Sequence, residues 1–65
     1  MKIRLNGTDA QTSASTVAAL LEELQFAPQG VAVAVNEAVV PRARHGEHRL
    51  EEGDRVEIIR AVQGG

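Results

Sequence analysis

The residues of this 65-residue chain with the most to offer chemically are its last two, Gly64 and Gly65. The chain closes Ala61-Val62-Gln63-Gly64-Gly65 directly after a strand-like apolar run. Residues 62–65 are therefore expected to leave the body as a thin, flexible tail. Two glycines lack Cβ atoms and reach dihedrals closed to other residues, so such a tail can thread a slot too narrow for any other pair. The group it delivers is the carboxylate of Gly65, with Gly64, Gln63 and Val62 passing through the slot behind it. That carboxylate is ionised at neutral pH and is a poor electrophile, so it needs activation. Conversion to an acyl-adenylate with ATP supplies a leaving group, and a sulfur nucleophile that displaces it leaves a thiocarboxylate on Gly65. The chain has no cysteine, so no side chain can carry sulfur as a persulfide or disulfide. If sulfur is carried, the terminus is the place.

Other chemistry-bearing clusters read less sharply. His45-Gly46-Glu47-His48 sets two imidazoles near Glu47 and Glu51, but the spacing is not that of a helical zinc motif and Gly46 opposes the helix that would align them. This stretch reads as a solvated polar loop, with no metal site. Asp54 and Arg55, after Gly53, read as turn and strand-entry residues. No side chain is expected to be catalytic and no cofactor to be bound.

Composition narrows the classes further. Seven Lys and Arg against nine Asp and Glu give a net charge of -2, and Phe26 is the only aromatic. Nucleic-acid binders carry a basic excess and stacking aromatics, so that class is disfavoured. No apolar run approaches the roughly 20 residues that cross a bilayer, and no signal segment opens the chain, so a cytoplasmic protein without membrane contact is expected. A domain this small hides only about 60% of the surface its unfolded chain exposes, which leaves no room for a deep cleft. The aliphatics Ile3, Leu5, Val17, Leu20, Leu21, Leu24, Val31, Val33, Val35, Leu50, Val56 and Ile58 are the expected core.

The elements that must position the tail follow from periodicity. Met1 to Leu5 alternates as a half-buried strand, and Asn6-Gly7 suits a tight hairpin returning through Ala10, Gln11 and Thr12. Ser13, Ser15 and Thr16 precede Val17, Leu20, Leu21 and Leu24, the stripe of a capped helix that the Phe26 to Gly30 segment stops. Val31 to Val35 is a strand that turns at Asn36-Glu37 into Val39-Val40, and Arg55 to Ala61 is the last strand. The order ββαβ(β)β predicts an α+β fold, a mixed four- to five-stranded sheet packed on one main helix, in one domain spanning residues 1–65. On the sheet face away from the core, Ala32, Ala34 and Ile59, with Val62, form a smooth apolar patch expected to dock a partner, with Lys2, Arg4 and Arg60 as rim charges.

The opening MKIRLNG, the helix TVAALLEEL, the strand region VAVAVNEAVVPR and the closing GDRVEIIRAVQGG together resemble the sulfur carrier proteins of thiamine biosynthesis, the ThiS family of the ubiquitin-like β-grasp group. The resemblance covers the whole chain and is most specific at VQGG. It implies that an E1-like adenylating enzyme activates Gly65 with ATP, that a sulfurtransferase system supplies sulfur, and that thiazole synthase takes it from the thiocarboxylate. The chain would then be a protein co-substrate rather than an enzyme. Asn36-Glu37 departs from the Asn-Gly common in the family, as does the arginine-rich and histidine-containing stretch Arg42 to Arg49. The small subunit of molybdopterin synthase, a β-grasp binding or adaptor module with an inert tail, and a ubiquitin-like modifier are the competing readings.

Overall fold

The computed structural model describes residues 1–60. The tail expected over Val62, Gln63, Gly64 and Gly65 lies outside them, as does Ala61. Five strands form one mixed sheet: β1 (Lys2–Leu5), β2 (Thr8–Gln11), β3 (Val31–Val35), β4 (Ala38–Val40) and β5 (Arg55–Arg60), in the order β2-β1-β5-β3-β4. The central pair β1 and β5 is parallel and the other pairs are antiparallel. One helix, α1 (Val17–Glu23), packs on one face, and single 3-10 turns lie at Pro28–Gly30 and Arg42–Arg44. This is the expected α+β arrangement, with five strands.

Both hairpins close through two residues at positive φ, Asn6 (51°) with Gly7 (83°) and Asn36 (52°) with Glu37 (71°). Such turns match the right-handed twist of the strands they join. The helix begins where its sequence cap said: the Thr16 hydroxyl accepts from the Ala19 amide at 3.1 Å. It ends at Glu23, with Leu24 as its cap, just before the Phe26 to Gly30 segment expected to stop it. Gln25 takes the left-handed conformation at φ 65°, while the Phe26 amide donates to the Leu21 carbonyl at 2.9 Å and the Gln25 amide to Glu22 at 3.0 Å. That bond pair satisfies two orphan carbonyls and stops the helix, in a motif usually built around glycine.

The core joins the helix stripe Val17, Leu20 and Leu21 to Ile3, Val33, Val35, Val56 and Ile58, with Ala14, Val40 and Leu50 closing its ends. Leu5, Leu24 and Val31 are only partly buried against it. Two polar residues join it. The Thr12 hydroxyl accepts from the Ala14 amide at 3.0 Å and donates to Glu23 at 2.9 Å.

The second polar residue, His45, corrects the reading of a solvated loop. It is 4% exposed, and its Nε2 lies 3.1 Å from the Val40 carbonyl. The first amides of α1 need acceptors that the helix cannot supply. The Ala18 amide donates to the His45 carbonyl at 2.9 Å and the Val17 amide to the His48 carbonyl at 3.0 Å. The stretch is thus held down by the helix it caps.

Candidate functional site

The described strand nearest the expected tail in sequence is β5. β5 is flanked by β1 and β3, and Val56 and Ile58 root it in the core. Because side chains alternate across a strand, Arg55, Glu57 and Ile59 stand on the open face, away from the helix. Ile59 is 63% exposed and pairs directly with Ala32 of β3. Ala34 pairs with Glu57 on one side and with Val39 of β4 on the other. The predicted residues Ile59, Ala32 and Ala34 therefore do meet on one surface. Val62 falls outside the described residues.

Val39 is the member that sequence reading missed. At 75% exposure it extends the apolar surface to the sheet edge. In the pair Val39-Val40 one residue must face outward, but the run is too short for alternation to say which. Pairing of Val40 with the buried Val33 settles it.

The rim charges divide. Lys2 and Arg4 stand on the open face of β1, each 3.6 Å from the carboxylate of Asp9 on β2. Arg60 does not join them. It shares the inward parity of Val56 and Ile58, and its guanidinium lies 5.2 Å from the centre of the Phe26 ring, in cation–π range. It belongs to the helix side of the sheet. The open face is thus charged over β2, β1 and the start of β5, and apolar over the end of β5, β3 and β4.

The remaining polar clusters are structural. Asp54 accepts from the Glu51 amide at 2.8 Å and from the Asn36 carboxamide at 3.1 Å, which closes the turn before β5. Glu47 pairs with Arg44 at 3.4 Å on the surface, while His45 points inward. Among the described residues, no three His, Cys, Asp or Glu side chains stand close enough to share a metal ion. No described helix is long and apolar enough to cross a membrane.

β5 thus has an inner face rooted in the core and an outer face open beside Ala32 and Ala34. Comparison with known proteins gives the family. The ThiS family model matches residues 3–65. The sulfur carrier protein ThiS of Escherichia coli K12 is 35% identical over 66 residues, covering all of both chains. A thiazole synthase of Magnetococcus marinus is 44% identical over the whole of this chain, which spans 20% of that protein's length. The crystal structure of a thiamine biosynthesis protein (ThiS) from Geobacter metallireducens superposes with a TM-score of 0.85 at 28% identity, with complete coverage of both chains. With its fold and its full-length match in agreement, the chain belongs to the ThiS family.

Proposed function

We propose that the protein is the sulfur carrier for thiazole formation in thiamine biosynthesis, a co-substrate rather than a catalyst. The observation that carries this reading is the family match running through residue 65, and so through Gly64 and Gly65. In the proposed cycle a carboxylate oxygen of Gly65 attacks the α-phosphorus of ATP on an adenylating enzyme and pyrophosphate leaves. Hydrosulfide, released from a sulfurtransferase persulfide by a thiol reductant, then attacks the acyl carbon, the C–O bond to AMP breaks, and loss of the S–H proton leaves a thiocarboxylate. Thiazole synthase accepts that sulfur. The thiazole synthase relative that contains a segment like this whole chain supports the last pairing.

The adenylating enzyme docks on the apolar half of the open face, at Ile59, Ala32, Ala34 and Val39, with Val62, Gln63, Gly64 and Gly65 entering its active site. Support comes from the exposure of Ile59 and Val39, two large aliphatics on one small surface. The small alanines between them leave it flat enough for close approach. Intact mass after incubation with ATP, the adenylating enzyme and a sulfur source tests the reading. A gain equal to one oxygen replaced by sulfur, absent when Gly65 is deleted, is the expected result. An unchanged mass, under conditions that thiolate the Escherichia coli carrier, overturns it.

A further inference from the structure

β1 and β5 run side by side only as far as Leu5 and Val56. The Asn6 amide donates to the Val56 carbonyl at 2.9 Å, and the chain then turns away into β2. β5 continues to Arg60 with β3 along its other side. Backbone groups two residues apart face the same way, so Ile58 offers its N–H and C=O to the side that β1 has left. The Asn6 carboxamide fills that place. Its Oδ1 accepts from the Ile58 amide at 2.8 Å, and its Nδ2 donates to the Ile58 carbonyl at 3.3 Å. One side chain exchanges two bonds with one residue, as a neighbouring strand would.

Asn36, at the same place in the other hairpin, grips β5 where it begins. Its Oδ1 accepts from the Arg55 amide at 3.0 Å and its Nδ2 donates to Asp54 at 3.1 Å. The two asparagines hold opposite ends of one strand, and Asn6 holds the end nearer Gly65. Burial of the Ile58 side chain fixes where the strand lies. The Asn6 carboxamide fixes the line along which its backbone leaves the sheet.

We infer that Asn6 is a positioning residue for tail delivery, acting through Ile58 to set the exit direction of the strand that leads to Gly65. The inference rests on Gly65 being the delivered group. A strand held from both sides presents its end in one direction. Held by β3 alone it splays, and the activating enzyme captures only the aligned fraction, so apparent affinity falls while the chemical step is unchanged.

Asn6→Gly keeps the positive φ of the turn and removes only the carboxamide. Asn36→Gly does the same at the other end of β5 and controls for lost stability. Adenylylation is followed by pyrophosphate release at varied carrier concentration, with amide hydrogen exchange at Ile58 read in parallel. Asn6→Gly is expected to speed exchange at Ile58 and raise the KM for the carrier about tenfold with kcat within about twofold, whereas Asn36→Gly leaves KM within about twofold. An unchanged KM for Asn6→Gly once the Ile58 amide exchanges freely overturns the inference. An equal rise in both variants does so too. Should Asn6→Gly not fold, Asn6→Asp against Asn36→Asp makes the same comparison, since each carboxylate keeps the acceptor and loses the donor. A native chain that is not adenylylated at all sinks the functional reading, and this inference with it.

Discussion

Strands β3 and β5 present two faces of opposite character from one alternating sequence. Inward, Val33, Val35, Val56 and Ile58 are buried in the core with α1; outward, Ala32 and Ile59 are exposed and Ala34 is half-buried. The inward face is filled with branched aliphatics because burial of each contributes roughly 1.5–3 kcal/mol, and a small domain has few other sources of stability. The outward face contributes little to folding, so its residues are free to serve something else. An apolar surface kept where folding does not need it points to contact with a partner.

Breaking the inward face should have the largest effect. Val56 is 0% exposed, and Val56→Asp places a carboxylate where nothing can pair with it, at a cost comparable to the domain's whole stability of about 5 kcal/mol. Circular dichroism should show no cooperative melt. Leu20→Ala, which removes a fully buried helix side chain, should cost about 2–5 kcal/mol in urea unfolding through lost contact and a residual cavity. Thr16→Ala removes the helix cap and should cost about 1 kcal/mol by the same measurement.

Glu37→Gly should sharpen the comparison by moving the other way. Glu37 sits at φ 71° with its side chain exposed, where an L-residue pays a steric penalty that glycine avoids. The substitution should raise stability by about 0.5–1 kcal/mol and make the second hairpin resemble the Asn6-Gly7 turn. Ile59→Asp should have the smallest effect on stability, within about 0.5 kcal/mol. The same variant should lower adenylylation of Gly65 more than tenfold, since a carboxylate at the centre of an apolar interface is desolvated without a partner. Full activity in Ile59→Asp would show that the outward face is not the docking surface.

What could be read from sequence was whatever a short stretch decides for itself. Alternation in Lys2–Leu5 and Val31–Val35 marked strands, the Thr16 cap and the Val17, Leu20, Leu21 stripe marked the helix, and Asn6-Gly7 marked a turn, because each depends on residues only a few positions apart. The terminal Gly64-Gly65 pair is equally plain in the sequence, and the carboxylate chemistry proposed for Gly65 rests on the sequence alone. Three features were not legible. His45 looked like a solvated loop residue, because its burial depends on a carbonyl of β4 and an amide of α1. Arg60 looked like a rim charge until strand parity and the Phe26 ring placed it on the helix side. Asn6 read as a turn residue alone, because its second role lies 52 positions away on Ile58.

The sequence by itself therefore determined the elements and their faces, and it is the source of the proposal that Gly65 is the group delivered. Only the tertiary structure decided which strands lie beside β5, which residues share its open face and what bonds its backbone at Ile58. Periodicity is a local property written into consecutive side chains. Pairing between distant segments depends on closing long loops against chain entropy, and its outcome is settled by the packing of the whole domain.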